Sequence, residues 1–302
     1  MNSKSFTFFL FLSVCLIWGT TWFAMEVALH SIPPMFATAL RFLLAAPLLI
    51  ILTKAFNQPL LFPRGKRRWM LIVSIMYFAI PFTLMIYGEQ YISSGLASII
   101  FANMPIAVML TSSLFLGLRL EKHQMFGLVL AVISLCIILS NEMELGGEDY
   151  LIGTLSLGMA VAIHAFMYVF AQKQCRDVQV LTYNAIPCSI ASLFLFAVSA
   201  VGENVEIDAF TWDSIWAVIY LGLIASVGGI VAYFKLGQVS SPFHASICFL
   251  IFPIVALFIS SYVNDEMISD QSVVLMLPLL FGILLTKVPK KFFKRNQAAT
   301  TT

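Results

Sequence analysis

The chain has 302 residues, of which 17 are Lys or Arg and 15 are Asp or Glu, and 60% of its residues are hydrophobic. Charged residues amount to 11% of the chain, against about 25% in an average soluble domain. So few charges cannot cover the surface of a soluble globule, and so many apolar residues exclude a disordered chain. The composition therefore predicts a polytopic membrane protein.

Several classes of function are excluded by what the sequence lacks. A net charge of +2 is too small to suggest a nucleic-acid partner. The five cysteines are scattered without a C-x-x-C pair, so we interpret them as small apolar residues. Neither a G-x-x-x-x-G-K-[ST] loop nor an H-E-x-x-H motif is present. We predict no enzymatic activity, no cofactor and no metal site.

The membrane-spanning helices are predicted from the length of the apolar stretches. A helix that crosses a hydrocarbon core about 30 Å thick needs about 20 mostly apolar residues. Ten stretches meet this requirement, and they are 6–29, 33–53, 69–88, 94–117, 124–140, 151–171, 180–202, 214–234, 242–262 and 272–288. In the eighth, Gly222 and Ser226 are small residues four apart, which predicts close helix packing without a chemical role.

The charged residues separate onto two sides when the spans are drawn in this way. All Lys and Arg residues except Arg41, which lies within a span, fall on the side of the N-terminus. Most of the 15 acidic residues fall on the other side, and they are Glu89, Glu142, Glu144, Glu148, Asp149, Glu203, Glu206, Asp208, Asp213, Asp265, Glu266 and Asp270. Basic loops remain cytoplasmic, so both ends of the chain are predicted to be cytoplasmic.

An internal repeat relates the two halves of the chain. Residues 97–105, ASIIFANMP, match residues 245–253, ASICFLIFP, at five of nine places, at a shift of 148 residues (245 − 97). Because each half then has an odd number of spans, the second copy begins on the opposite side of the membrane. The sequence predicts an all-α fold of ten transmembrane helices as two inverted five-helix repeats, 1–146 and 147–290, followed by a polar cytoplasmic tail, 291–302.

These segments carry a family resemblance that covers nearly the whole chain. Residues 16–29, LIWGTTWFAMEVAL, and residues 33–44, PPMFATALRFLL, resemble the first two helices of the EamA-like family in the drug/metabolite transporter superfamily. The proline-bearing fourth and ninth spans are similar to that family as well. One departure is His164, which stands where the family commonly has a tryptophan in the sixth helix.

Ionisable residues within spans are candidates for the transport pathway, because they are costly at membrane depth. Arg41 and Glu26 lie at compatible depths, so one hypothesis is an ion pair that faces a central cavity. The alternative is that Arg41 snorkels outward or binds backbone carbonyls and that Glu26 marks the helix end. His164, past the middle of the sixth span, is expected either to relay protons or bind substrate, or to pack through hydrogen bonds.

Three further residues are placed at mid-depth in the repeated helices. Asn103 lies two residues before Pro105, and Pro253 occupies the equivalent position in the ninth span. A proline removes a backbone hydrogen bond within a helix. We predict that Pro105 and Pro253 kink two symmetry-related helices around the cavity, with static packing bends as the alternative.

Aromatic side chains with a polar group complete the set of pathway candidates. Trp18 and Trp22 are four residues apart and share one face of the first helix. The remaining candidates from this group are Tyr77, Tyr168 and Tyr233.

The resemblance implies a secondary transporter of the bacterial inner membrane. We expect it to export an amino acid or a related small metabolite by alternating access, through a cavity lined by spans one, two, four, six, seven, eight and nine. The alternative is a channel-like facilitator or an uncoupled exchanger. The expected partners are the lipid bilayer, the substrate and either a proton or a counter-substrate. The candidates for proton coupling are Glu26, His164 or the substrate itself.

Overall fold

A computed structural model of the chain describes residues 3–146, 148–240, 245, 247–263 and 268–288. The regular structure within these residues is helical, and ten helices correspond to the ten predicted spans. They are α1 (Ser3–Leu29), α2 (Pro34–Ala55), α3 (Arg64–Gly88), α4 (Ser94–Leu116), α5 (Lys122–Gly146), α6 (Glu148–Gln174), α7 (Val180–Gly202), α8 (Trp212–Val239), α9 (Cys248–Val263) and α10 (Asp270–Lys287).

Length and composition identify nine of these described helices as long and apolar enough to cross a membrane. Helix α9, with 16 residues, is a shorter apolar helix. The protein is therefore a multi-pass membrane protein. The predicted tail, 291–302, and the predicted loop acids Asp265 and Glu266 lie outside the described residues.

Local sequence accounts for where several helices begin. Ser93, Thr211 and Ser269 stand before α4, α8 and α10, and each side chain accepts a hydrogen bond from the backbone N–H three residues later. Serine and threonine favour this position because they satisfy an N–H that the helix leaves unpaired. Helix α2 instead begins at Pro34. Proline has no backbone N–H, so it leaves no hydrogen-bond donor unpaired in the first turn.

The packing of the helices follows the predicted repeat. Helix α1 packs against α8 and α9, and its counterpart α6 packs in the same manner against α3 and α4. The equivalent helices α2 and α7, α4 and α9, and α5 and α10 pack directly against each other. Exchanging the first five helices for the last five leaves this set of pairings unchanged. The fold is built from two inverted five-helix repeats.

Two glycines allow a close approach between α5 of the first repeat and α10 of the second. A Cβ atom added to Gly127 of α5 would lie 2.6 Å from the backbone oxygen of Gly282 in α10. A Cβ atom added to Gly282 would lie 2.6 Å from the backbone oxygen of Gly127. Real Cβ contacts are never this short, so the absence of a side chain at both positions sets the distance between α5 and α10.

Helices α3 and α8 share an irregularity that the sequence analysis did not predict. Each contains a π-helical segment, Ser74–Ala79 in α3 and Tyr220–Gly228 in α8. Pro81, which has no N–H to donate, follows the first segment, and Gly228 and Gly229 end the second. Residues of these two types weaken the regular hydrogen-bond pattern of an α-helix.

Carboxylates of one repeat bind helix N-termini of the other. Glu203, after α7, accepts hydrogen bonds from the backbone N–H groups of Met35 (2.7 Å) and Phe36 (2.9 Å) at the start of α2. Glu142 of α5 accepts bonds from the N–H (3.2 Å) and hydroxyl (2.7 Å) of Ser269, which caps α10. A negative charge is favourable at a helix N-terminus because of the unpaired N–H groups and the helix dipole.

The opposite ends of the helices carry the basic residues and another link between the repeats. Lys66, at the start of α3, forms an ion pair with Asp177 in the α6–α7 loop. This hydrogen-bonded ammonium group lowers the pKa of the Asp177 carboxyl below its ordinary value. Both side chains are partly or largely exposed, so water and salt screen the pair.

Candidate functional site

A continuous row of aromatic side chains crosses the interface between the two repeats. We call it the central aromatic row. Its neighbouring ring centroids lie 4.9–6.5 Å apart, the range in which aromatic side chains interact favourably. In order from one end to the other, its members are Phe82, His164, Phe101, Trp22, Phe252, Trp18 and Tyr233.

Arg41 stands at one end of this row. Its guanidinium carbon lies 4.9 Å from the centre of the Phe82 ring, within the range of a cation–π interaction. Its Nε donates a hydrogen bond of 2.8 Å to the hydroxyl of Ser226, and Nη1 lies 3.6 Å from the Sδ of Met25. Arg41 is only 7% exposed. The structure therefore holds this cation in the interior, between α1, α2, α3 and α8.

Two carboxylates accompany Arg41. Glu89 follows directly after α3, is 6% exposed, and interacts electrostatically with both Arg41 and Glu26. Neither oxygen of Glu89 has a hydrogen-bond partner among the described residues. The Arg41–Glu26 ion pair stays a prediction, and Glu89 is a second carboxylate near it. We call Glu26, Arg41 and Glu89 the charged cluster.

Glu89 is also the clearest correction to the sequence analysis. The sequence analysis counted it only among the acids on the side opposite the N-terminus and not as a site candidate, whereas the structure buries it beside Arg41. Ser226, which the sequence suggested was a packing residue alone, is the hydrogen-bond partner of Arg41. Glu89 follows directly after Gly88, the last residue of the predicted third span. This position next to an apolar span is the one sequence signal that favours its burial.

His164 lies in the middle of the central aromatic row. The rings of Tyr77, Phe82 and Phe101 surround it at centroid distances of 5.0, 5.3 and 5.8 Å. It is 3% exposed, and its Nδ1 has no hydrogen-bond partner within the described part of the chain. Helix α3 thus contributes two rings to this region: Tyr77, which was a predicted candidate, and Phe82, which was not.

Asn103 interrupts helix α4. The helix consists of two α-helical segments, Ser94–Ala102 and Met104–Leu116, and Pro105 lies in the first turn of the second. The Asn103 amide nitrogen donates a hydrogen bond of 2.9 Å to the carbonyl of Ile99, and its Oδ1 is buried without a partner among the described residues. Helix α9, in contrast, continues as an α-helix through Pro253.

The tryptophans and tyrosines occupy different parts of this region. Trp22 is almost fully buried, next to Phe101 and Phe252, whereas Trp18 packs against Tyr233 at 4.9 Å. Tyr168 of α6 is 42% exposed.

The structure thus brings most of the predicted candidates together. Trp18, Trp22, His164 and Tyr233 belong to the central aromatic row, and Arg41 contacts its end. Among the described residues, no group of three or more His, Cys, Asp or Glu side chains is arranged to hold a metal ion. The described side chains of this region offer ring faces, buried polar atoms and one buried cation.

A helical fold of two five-helix repeats, with charged and aromatic side chains buried between them, defines a class of membrane transporters. The sequence profile of the EamA-like transporter family matches this chain twice, over residues 5–140 and 151–288. The chain belongs to the EamA-like transporter family, within the drug/metabolite transporter superfamily.

Curated relatives cover nearly the whole chain. PagO of Salmonella typhimurium strain LT2 is 46% identical over 281 residues, which cover 93% of this chain and 92% of that protein. An uncharacterized transporter of Buchnera aphidicola subsp. Schizaphis graminum is 44% identical and covers 94% of this chain and 95% of its own length. The uncharacterized inner membrane transporter YedA of Escherichia coli K12 is 24% identical over 92% of this chain and 89% of that protein.

A solved crystal structure agrees with the fold. It superposes with a TM-score of 0.67 at 17% sequence identity and covers 93% of this chain and 96% of its own. This likeness concerns the fold alone. The family and the names of the relatives point to a membrane transporter rather than an enzyme.

Proposed function

We propose that the protein is a secondary transporter that exports a small metabolite, an amino acid or a related compound, by alternating access. The two repeats rock about a substrate site at their interface, where the central aromatic row and the charged cluster lie. The membrane is a bacterial inner membrane. Both ends of the chain are cytoplasmic, because the loops on their side carry the positive charge that keeps loops in the cytoplasm. YedA, a relative, is named as an inner membrane transporter.

The observation that carries this proposal is the position of Arg41. Within the described part of the chain, the buried guanidinium donates to a serine hydroxyl and a thioether, which leaves N–H groups for a bidentate bond with a carboxylate. Glu26 and Glu89 provide negative charge for an ammonium group nearby. A solute with both groups, such as an amino acid, matches this distribution of charge.

The aromatic residues and the orphaned polar atoms support the same substrate class. Trp22, Phe101 and His164 offer ring faces to an apolar or cationic side chain. The Nδ1 of His164 and the Oδ1 of Asn103 are buried polar atoms that lack partners among the described residues. Buried polar atoms without partners cost free energy, so a bound polar solute that supplies the bonds stabilises the site.

The experiment that tests the proposal is counterflow in proteoliposomes with a labelled panel of amino acids, amines and nucleosides. The proposal predicts that unlabelled substrate inside the vesicles transiently accumulates the label and that the initial rate saturates. A channel-like facilitator gives a flux that is linear in concentration and shows no counterflow. Flux that saturates for nucleosides but not for amino acids would overturn the substrate class.

A further inference from the structure

A groove opens between helices α3 and α6 on the outside of the helix bundle. At one end the two helices touch, because a Cβ atom added to Gly153 of α6 would lie 2.8 Å from the backbone oxygen of Gly88 in α3. Toward the end that carries the basic residues, the helices leave a volume of about 600 Å³ between them. Ligand pockets have volumes of about 300–1,000 Å³, so the groove is large enough for a bound molecule.

The lining of this groove is apolar. Lining residues come from both helices, and they include Trp69, Ile72 and Met76 of α3 and Ala162, Phe166 and Phe170 of α6. The rings of Phe166 and Phe170 stack with centroids 4.3 Å apart, and Phe115 of α4 packs against both at 5.5 Å. This packing holds the aromatic wall in place. Both helices are long enough to span a membrane, where the apolar molecules that surround them are lipid acyl chains.

One end of the groove is basic. Arg68 lies four residues before Ile72, and Lys173 lies three residues after Phe170, so each continues the groove side of its helix by about one turn. Both side chains are exposed, and neither forms an ion pair with a described residue. Trp69 lines the groove at this end, and tryptophan is enriched at the level of the lipid headgroups. Two cations therefore border an apolar groove at headgroup level.

We propose that this groove binds one anionic phospholipid of the cytoplasmic leaflet, with an acyl chain against the apolar lining and the phosphate group between Arg68 and Lys173. Basic pockets between transmembrane helices bind anionic headgroups, and charge-assisted hydrogen bonds to phosphate are strong. A zwitterionic lipid carries a cation beside its phosphate, which the two basic side chains repel. The inference goes beyond the proposed function and shares with it only the orientation of the chain.

The groove borders the central aromatic row without including it. Met76 and Ile163 line the groove, and the next residues of the two helices, Tyr77 and His164, pack against each other with ring centroids 5.0 Å apart. A lipid chain in the groove therefore supports the part of the α3–α6 interface that positions His164. Because a ligand that binds only the folded state stabilises it, the lipid is expected to raise the melting temperature of the protein.

Lipid binding is measured on the full chain in detergent by native mass spectrometry, with phosphatidylglycerol and phosphatidylcholine of identical acyl chains as the probes. We expect wild type to bind one phosphatidylglycerol at least about tenfold more tightly than phosphatidylcholine, and Arg68→Gln/Lys173→Gln to lose this preference. The matched control is Arg67→Gln/Arg176→Gln, which removes the same charge at the same end. Arg67 lies on the opposite side of α3 from the lining residues, and Arg176 lies beyond the end of α6.

A second variant tests the apolar part of the site. Ala162→Leu places a larger side chain in the groove, away from the basic end, and Ala162 is exposed, so the fold is expected to tolerate it. The affinity for phosphatidylglycerol should fall at least about tenfold, whereas Ala197→Leu, at an exposed position of α7, should leave it unchanged. Phosphatidylglycerol should raise the melting temperature of wild type and of both controls, and not that of the groove variants.

The outcomes separate this lipid site from its rivals. Equal affinities of wild type for the two lipids, or equal losses in Arg68→Gln/Lys173→Gln and its control, would overturn the proposal in favour of general attraction between charges. Unchanged phosphatidylglycerol binding in Ala162→Leu would overturn the position of the chain, and a loss of transport in that variant would then make the groove a lateral path for solute. Binding is measured without transport, so an absence of counterflow overturns the proposed function alone.

Discussion

The Nε of Arg41 donates a hydrogen bond of 2.8 Å to the hydroxyl of Ser226, so a cation of helix α2 in the first repeat is held by helix α8 in the second. Ser226 belongs to the π-helical segment Tyr220–Gly228 of α8. If α8 moves relative to α2, either this hydrogen bond breaks or the Arg41 side chain moves with Ser226. The conformation of Arg41 therefore depends on the positions of both repeats.

Ser226→Ala removes that bond and leaves the guanidinium free to turn. A hydrogen bond to a charged group contributes about 1.5–3 kcal/mol, so we expect the transport rate at low substrate to fall at least about tenfold. The matched control is Ser189→Ala in α7, whose hydroxyl bonds only to the carbonyl of Ala185 in its own helix. Equal rates in the two variants would show that the Arg41–Ser226 bond has no part in transport.

Gly282→Ala places a methyl group against the backbone of α5. Because its Cβ would lie 2.6 Å from the Gly127 oxygen, the two helices must separate, and overpacking of this kind costs about 1–3 kcal/mol. We expect a lower melting temperature in detergent. Gly158→Ala in α6, where no atom lies within 4 Å of the added Cβ, should leave stability unchanged or raise it. A Gly282→Ala protein as stable as wild type would contradict the close α5–α10 contact.

Glu203→Ala removes the carboxylate that binds the N-terminus of α2. Three bonds are lost, to the backbone of Met35 and Phe36 and to the hydroxyl of Ser199 at 2.6 Å. Loss of a cap typically costs about 1–2 kcal/mol, and thermal unfolding in detergent measures it. Glu206→Ala in the same loop is the control and should have little effect. A larger fall in the unfolding temperature of Glu206→Ala would show that the negative charge of the loop, and not the cap, stabilises the N-terminus of α2.

His164→Phe retains a ring within the central aromatic row and removes both nitrogens. The surrounding rings of Tyr77, Phe82 and Phe101 can pack against the new ring, so we expect stability close to wild type. The substrate loses a buried hydrogen-bond partner, and KM should rise about tenfold, with a smaller change in the maximal rate. His30→Phe, at an exposed histidine after α1, is the control. An unchanged KM for His164→Phe would make His164 a packing residue.

The sequence predicted the ten helices well because apolar stretches of membrane length are separated by proline, glycine and charge. It also located the repeat, through residues 97–105 and 245–253. The π-helical segments of α3 and α8 were missed, since a π-helix depends on how the helix packs and has no clear composition of its own. The interruption of α4 at Asn103 was foreseen only as a kink at Pro105.

The site was predicted in part. Charges within spans identified Arg41 and Glu26, because their cost in a membrane makes them conspicuous. Glu89 was missed because the same rule regards an acid just beyond a span as exposed, and burial by neighbouring helices cannot be read from one segment. Ser226 was taken as a small packing residue, since a hydroxyl that meets Arg41 across the repeats is a tertiary contact.

The central claim is that solute passes between the repeats, beside Arg41. The most direct test is the initial rate of counterflow in wild type and in Arg41→Gln, at equal incorporation into liposomes and with monodisperse protein before reconstitution. The account predicts saturable, trans-stimulated exchange in wild type and a reduction of at least about tenfold in Arg41→Gln. Equal exchange rates in the two proteins would contradict it.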